Sequence, residues 1–179
     1  MSYRKSGSSN ILVEDLYCEH GDGLTIGSIW YDNVTNVTYR RVVMNRTHNG
    51  PMIKGRSQGN ATVRDILFED VTLHEVYLAF TIDCDYETAG TVLPNIGVLA
   101  SNVTFRNVSG TVSPPRPRTE LWLSDGRHDP SFLVNAAGTF FCRDTRPCSF
   151  RMENVSISHA NVENKTVPQW LCNNSILLS

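Results

Sequence analysis

The chain has 179 residues, 40% of them hydrophobic, which is enough for one domain with a sizeable core and excludes a disordered chain. Its 16 Lys and Arg nearly balance its 18 Asp and Glu, so no nucleic-acid partner is indicated. The apolar runs are a few residues long, against about 20 for a membrane span, so no membrane partner is predicted. The opening MSYRKSGSSN holds no apolar stretch and is not a signal peptide as it stands.

Four segments repeat one pattern, in which a polar residue precedes apolar residues at alternate positions. They are Asn10–Leu16, Asn36–Val42, Asp65–Val71 and Asn102–Val108, with a weaker copy at Met152–Val155. Alternation is typical of short strands with one buried face. The copies begin 26, 29 and 37 residues apart, which suits coils with loops of variable length. The pattern predicts an all-β parallel β-helix, in which each coil buries its inner face only against its neighbours.

Asn and Gly residues at the corners between these segments are predicted to be structural, because they tolerate tight turns that β-branched residues resist. Asp15, Asp65 and Asp70 fall in the strand repeats and are expected to face solvent or corners rather than to act in catalysis.

The remainder of the chain is less regular. The proline-rich run from Ser113 to Arg118 breaks any regular element and opens a predicted surface excursion over 113–135. Residues 136–179 return through a last strand and are predicted to cap the helix. The whole chain, 1–179, is interpreted as part of a single domain.

The sequons and cysteines are typical of a secreted protein. The chain has five cysteines and nine N-x-S/T sequons, at Asn33, Asn36, Asn45, Asn60, Asn102, Asn107, Asn154, Asn164 and Asn173. An Asn-rich and Thr-rich sheet protein also generates sequons by chance. We predict secretion, to the extracellular space or cell wall, with glycosylation at these sites. Secretory features without a signal peptide, plus an odd cysteine count, predict that an N-terminal portion precedes this chain in the complete protein.

The stretch from Cys18 to Ser28, CEHGDGLTIGS, resembles the active-site signature C..GHG(L)(S)IGS of polygalacturonases, glycoside hydrolase family 28. Met52-Ile53-Lys54 occupies the place of the family's R-I-K, followed by a similar glycine and strand pattern up to Ile66. The segment from Asp83 to Glu87 looks like the family's segment with a substrate-contacting tyrosine. The resemblance implies a right-handed parallel β-helix of the pectin lyase-like type, here partial.

The resemblance also implies an activity, the inverting hydrolysis of α-1,4-galacturonosyl linkages in pectin, without a cofactor. The family's catalytic carboxylates belong to N-T-D and D-D motifs upstream of the signature, and no acidic residue of this chain matches them. Lys5-Ser6-Gly7 looks like the segment that follows the D-D pair, so we expect the pair just before Met1 in a complete, monomeric protein. The isolated chain is expected to be inactive, whether Met1 is a true start or an error of gene prediction.

Two signature positions depart from the family. The family's histidine falls at Asp22, which is either a carboxylate near the cleft or an ordinary turn residue. His20, two positions earlier, is either its substitute or a surface histidine. The family's arginine falls at Met52, which removes a fork-shaped donor for a galacturonate carboxylate. Lys54 and Tyr86 are the predicted substrate-binding residues.

The cysteines include one candidate disulfide pair, and the histidines show no metal-site spacing. Cys142 and Cys148 resemble the family's small C-terminal disulfide loop, whereas the pairing of Cys18, Cys84 and Cys172 is open. No metal site is predicted, because the histidines are scattered and no zinc spacing occurs.

Two alternatives to a hydrolase remain. A non-catalytic carbohydrate-binding or cell-surface β-helix protein would fit the substitutions at Asp22 and Met52. A purely structural solenoid would not require Lys54, Tyr86 and His20 to lie in one groove.

Overall fold

A computed structural model of the chain describes residues 7–86, 96–113, 136–160, 169–173 and 175–179. Within these ranges every regular element is a β-strand, and no helix there is long and apolar enough to cross a membrane. The strands are β1 (Gly7–Glu19), β2 (Leu24–Ile29), β3 (Asn33–Asn45), β4 (Pro51–Arg56), β5 (Asn60–Val76), β6 (Phe80–Tyr86), β7 (Gly97–Val112), β8 (Ala136–Phe141), β9 (Cys148–His159), β10 (Gln169–Asn173) and β11 (Ser175–Leu177).

The strands alternate between two parallel sheets. The first sheet has the order β1-β3-β5-β7-β9-β11, and the second has the order β2-β4-β6-β8-β10. Each strand thus pairs with the one two places along the chain, so that every coil lies directly on the preceding coil. The predicted right-handed parallel β-helix is confirmed.

The register of the first sheet explains the repeated segments. Ile11 pairs with Val37, Val37 with Ile66, and Ile66 with Val103. The three residues of the inner coils are at most 2% exposed, whereas Ile11 on the outermost strand is 39% exposed. An apolar side chain of this series is therefore buried only where a coil lies on both sides of it.

Aromatic residues stack on one another inside the coils. Tyr39, Phe68 and Phe105 form a column with 5.4 Å between successive ring centroids. Phe105 also meets Phe80 of the second sheet edge-on at 4.9 Å. Such pairs add about 0.5–1.5 kcal/mol each beyond the area that they bury. The column ties both sheets to one core.

The strands of the first sheet are longer than the short strands predicted, because they run through corners. Residues with positive φ recur every five positions, as at Asp65 (φ 59°) and Asp70 (φ 53°) in β5. The expectation that Asp15, Asp65 and Asp70 occupy corners is confirmed, since Asp15 has φ 57°. Asn and Asp reach this left-handed region more readily than other residues with a side chain.

The corner side chains bond from coil to coil. Asn36 Nδ2 donates to Asn10 Oδ1 at 2.6 Å, and Asn102 Nδ2 donates to Asp65 Oδ1 at 2.8 Å. A second ladder links Asp70, Asn107 and Asn154 at 2.9 and 3.0 Å. Much of the asparagine content therefore serves the fold, as predicted.

The C-terminal strands extend both sheets. The Trp170 ring lies 5.4 Å from Phe80 and 6.0 Å from Phe140, so it covers part of the core at this end. The capping role of 136–179 stays a prediction. The predicted excursion at 113–135 lies, beyond Ser113, outside the described residues.

A disulfide closes the loop between β8 and β9. Cys142 and Cys148 are bonded with 5.7 Å between their Cα atoms, which confirms the predicted pair. Cys84 on β6 places its sulfur 3.6 Å from Cys148 Sγ, and all three sulfurs lie within 4.8 Å of one another. While the disulfide is intact, its two sulfurs cannot serve as thiolate ligands.

We expect Asn107→Ala to lower the free energy of unfolding by about 1–3 kcal/mol, because alanine loses two side-chain hydrogen bonds and is strained at φ 52°. Asn107→Gly should cost less, since glycine adopts this φ without strain. Urea unfolding of unglycosylated protein, with the exposed Ser109→Ala as control, measures both. Equal losses for Ala and Gly would show that the corner conformation is not strained.

We also expect Cys142→Ser to redirect the disulfide to Cys84, whose sulfur already lies next to Cys148. Refolding with oxidised glutathione, followed by peptide mapping by mass spectrometry, should show a Cys84–Cys148 link. Double substitution of Cys142 and Cys84 by serine serves as the control. A glutathione adduct on Cys148 in place of the link would contradict the prediction.

Candidate functional site

The outward face of the second sheet carries the residues that match the family signature. Lys54 on β4 pairs with Gly27 on β2 and with Asp83 on β6, so the three residues form one row across neighbouring coils. Asp83 is only 7% exposed, and Gly27 offers no side chain above its neighbour. The row therefore places Lys54 between a glycine on one coil and a buried acidic residue on the next.

A cationic and aromatic cluster lies at one end of this face. The Lys54 Nζ atom lies 4.0 Å from the centroid of the Tyr86 ring, which places the two predicted substrate-binding residues together. The Arg56 guanidinium carbon lies 4.6 Å from the same ring and 5.3 Å from the Trp30 ring. Partly exposed contacts of this kind contribute about 0.5–1 kcal/mol each. Arg56 and Trp30 were not among the predicted site residues.

The signature turn is tied to the next coil through its backbone. The Asp22 carbonyl accepts from the Asn49 backbone N–H at 3.0 Å, and the Gly21 carbonyl accepts from His48 N–H at 2.8 Å. Gly23 has φ 126°, and a Cβ there would collide with the carbonyl of Asn49. The turn therefore requires glycine at position 23, whereas the exposed Asp22 meets no such restriction.

The orientation of the Asn49 amide fixes the tautomer of His48. Asn49 Nδ2 lies 3.2 Å from the Asp22 carbonyl oxygen, which can only accept, and Asn49 Oδ1 accepts from the Thr81 hydroxyl at 3.0 Å. The same Nδ2 lies 3.0 Å from His48 Nδ1. Because an amide nitrogen is a donor, His48 Nδ1 is the acceptor and the ring proton of neutral His48 is on Nε2.

Burial favours the neutral form of His48. It lowers the pKa of His48 below its ordinary value, whereas the Asp22 carboxylate raises this pKa and the Lys54 ammonium lowers it to a smaller extent. The His48 ring also stacks on Tyr77 of the next coil at 5.4 Å. His48 was not among the predicted site residues, although its position shortly before the R-I-K match is a signal in the sequence.

His20 is a corner residue of the first sheet. It has φ 54°, its N–H donates to the Asn45 carbonyl at 3.1 Å, and its side chain is 64% exposed beside Glu19. These surroundings favour the surface interpretation. A substitute role for His20 stays a prediction.

The sequons fall mainly on exposed corners. Asn33, Asn36, Asn102, Asn107 and Asn154 are exposed, and Asn45 and Asn60 are partly buried. Several of them already bond to a neighbouring coil, as Asn45 Nδ2 does to Glu19 Oε1 at 2.9 Å. Asn164 and the side chain of Asn173 lie outside the described residues. Glycosylation stays a prediction.

We expect Lys54→Gln to raise the pKa of His48 and Asp22→Asn to lower it, since the two charges act in opposite directions. NMR titration of the His48 ring measures both shifts, and Arg64→Gln on the first sheet is the control. Because folding depresses this pKa, neutral His48 contributes stability above its unfolded value of about 6.5. That contribution is lost as the pH falls through the folded pKa. Shifts of the same sign in both variants would contradict this assignment.

Comparisons with known proteins agree with the fold. The model of the family "Glycosyl hydrolases family 28" matches residues 4–130. A solved structure, the endo-xylogalacturonan hydrolase from Aspergillus tubingensis, superposes with a TM-score of 0.63 at 18% identity, over 94% of this chain and 45% of that one.

Curated relatives are similar in sequence. A probable rhamnogalacturonase E of Aspergillus niger is 31% identical over 79% of this chain and 36% of its own length. A probable endopolygalacturonase D of Aspergillus flavus is 31% identical over 93% of this chain and 31% of its own length. The chain thus spans about a third of the length of these relatives. Since the family model matches most of the chain, the protein belongs to family 28 of the glycosyl hydrolases.

Proposed function

We propose that the complete protein hydrolyses α-1,4-galacturonosyl linkages in pectin, and that this chain supplies part of its substrate-binding face. The observation that carries the proposal is the placement of Lys54 against the Tyr86 ring on the face that holds the signature turn. Polygalacturonate carries one carboxylate per sugar, so it requires cations in its binding groove. A purely structural solenoid does not require this placement.

The two residues would act in different ways. Lys54 is a point charge that attracts the acidic sugar without fixing its orientation. Tyr86 offers a ring face for sugar stacking and a hydroxyl for hydrogen bonding. Because the Lys54 ammonium lies over the Tyr86 ring, a sugar that stacks on that face would displace the ammonium, which could then pair with the carboxylate of the same sugar.

Inverting hydrolysis requires an acid for the leaving oxygen and a carboxylate that activates water, about 6.5–9.5 Å apart. No acidic residue of this chain matches the family's N-T-D or D-D motifs. We therefore expect the 179-residue chain to bind its polymer without cleaving it at an enzymatic rate.

A specific observation supports a second candidate, a carbohydrate-binding protein without catalysis. Asp22 and Met52 replace the histidine and arginine of the family signature. Loss of both residues is expected in a protein that has lost its activity and kept its fold.

The substrate and the setting of the complete protein are part of the proposal. Relatives carry the names rhamnogalacturonase and endopolygalacturonase, so both a smooth galacturonan and a substituted pectin backbone are candidates. We propose a secreted monomer that acts on the cell wall, because nine sequons accompany a disulfide.

We expect Lys54→Gln to weaken binding of trigalacturonate to the chain several-fold, and Tyr86→Ala to weaken it further by removing the stacking surface. Isothermal titration calorimetry measures the dissociation constants, with Arg64→Gln as a charge-matched control. Raising the salt concentration should reduce the Lys54 effect, because the site is partly exposed. Native affinity in both variants would contradict the proposed site.

The hydrolase and the binding protein differ in what precedes the Met1 codon in the transcript. In-frame N-T-D and D-D motifs with a signal peptide are expected for the hydrolase. An in-frame stop codon directly upstream would favour the binding protein. A reducing-end assay on polygalacturonate with the expressed full transcript completes the test.

A further inference from the structure

Three cysteine sulfurs from different strands meet at one point in the core. The Cys84 Sγ atom lies 3.6 Å from Cys148 Sγ, and the sulfurs of Cys84, Cys142 and Cys148 all lie within 4.8 Å of one another. Cys142 and Cys148 are joined in the disulfide, whereas Cys84 carries a thiol. The proposed function assigns no role to this third sulfur.

Strand pairing sets the positions of two of the cysteines. Strands β6 and β8 pair in parallel as far as Asp83 and Phe141, so Cys84 and Cys142 follow the last pair side by side. Neighbouring strands of a sheet lie about 4.7–4.9 Å apart. Cys84 and Cys142 are therefore brought together by the main chain, whether or not a disulfide is present.

A tight turn and an arginine set the position of the third cysteine. In the loop between Cys142 and Cys148, the Arg146 N–H donates to the Arg143 carbonyl at 3.0 Å. The Arg146 guanidinium donates in turn to the Gly97 carbonyl at 3.1 Å, which holds the loop on the preceding coil. These hydrogen bonds do not involve sulfur, so we expect Cys148 to stay near the other two cysteines after the disulfide is reduced.

The spacing of the three sulfurs suits a single soft ion. With bonds of about 2.3 Å, as zinc makes to thiolate, three sulfurs around one ion lie about 3.5–4 Å apart. Cys84 and Cys148 already have this separation. Reduction releases Cys142 and Cys148 from their covalent bond, so small side-chain rotations complete the triangle. Thiolates favour soft ions over hard ones such as magnesium or calcium.

The surroundings of the three sulfurs favour a trivalent ion. Cys84 and Cys148 have no exposed surface (0%), Cys142 is 4% exposed, and all three belong to the apolar core. Three thiolates carry three negative charges, so a divalent ion would leave one of them uncompensated, which burial penalises. A trivalent ion forms a neutral complex.

We propose that the reduced chain binds a trivalent thiophilic ion of the arsenite class through Cys84, Cys142 and Cys148. Reduction by a small thiol comes first: two thiol molecules become one disulfide, and their two protons pass to the Cys142 and Cys148 sulfurs. Arsenous acid then exchanges its three hydroxyls for the three sulfurs. Three As–O and three S–H bonds break, three As–S bonds and three waters form, and arsenic stays trivalent. The bound ion prevents the disulfide from forming again.

The test titrates arsenite into the full 179-residue chain after reduction with a phosphine, because a thiol reductant would itself bind arsenite. Native mass spectrometry should show one arsenic per chain with the loss of three waters, and calorimetry gives the dissociation constant. Cys84→Ala leaves two thiols, so its adduct should retain one As–OH group and its dissociation constant should rise at least about tenfold. The unreduced chain should form no three-sulfur adduct.

The control variants are Cys18→Ser and Cys172→Ser, which remove the two thiols outside the cluster and should bind as the native chain does. The unfolding midpoint of each reduced variant is compared with the native value, and Cys84→Ser carries the test if Cys84→Ala fails to fold. A native adduct that retains an As–OH group, or native affinity in the Cys84 variant, would overturn the proposal. So would the absence of an adduct, or its loss in either control variant. None of these outcomes bears on the proposed function, from which the inference is independent.

Discussion

Parallel pairing of each coil with the next is the constraint on which the remainder of the structure depends. In a parallel ladder in register, a residue meets its counterpart one coil away, so every side chain must suit a neighbour of the same series. Ile11, Val37, Ile66 and Val103 form one such series, and asparagine and aspartate form another at the corners. The core is therefore built by repetition, and local errors of register would misplace whole rows at once.

Charged side chains on the first sheet are also arranged to suit their partners on the neighbouring coils. Glu14, Arg40, Glu69, Arg106 and Glu153 are successive partners across five coils, and acid alternates with base along the row. Arg106 Nε donates to Glu153 at 2.6 Å, and the Arg40 and Arg41 side chains hold the pKa of Glu14 below its usual range. These groups are at least partly exposed, so their main effect is on register, since a shifted pairing would bring like charges together.

The sequence predicted the part of the fold that repeats and failed where repetition ends. Alternating apolar residues indicate the strands of the first sheet. Lys54 and Tyr86 could be predicted as site residues because they lie in segments that resemble the family's. The second sheet has short strands and register shifts, one between Gly27 and Ile29 and one between Lys54 and Arg56. No local pattern fixes which residues meet across such shifts, and Arg56 was missed for that reason.

His48 was missed for a different reason, because its environment is made by residues distant in the chain. Its tautomer depends on Asn49, whose orientation depends in turn on a carbonyl of the preceding coil and a hydroxyl of the following one. Only the stacking of coils brings these groups together.

The same stacking determines which residues lie near the two substituted positions of the signature. Neighbouring coils are separated by about 4.7–4.9 Å, and alternate residues of a strand share one face. Residues near a signature position can therefore come from the next coil or from the same face of the same strand. The turn at Asp22 has no histidine, but its backbone bonds to the segment that carries His48. Position 52 has no arginine, but Arg56 lies on the same face of the same strand. The substitutions at positions 22 and 52 thus remove two side chains of the signature, while His48 lies on the segment bonded to the turn and Arg56 lies on the strand that carries Met52.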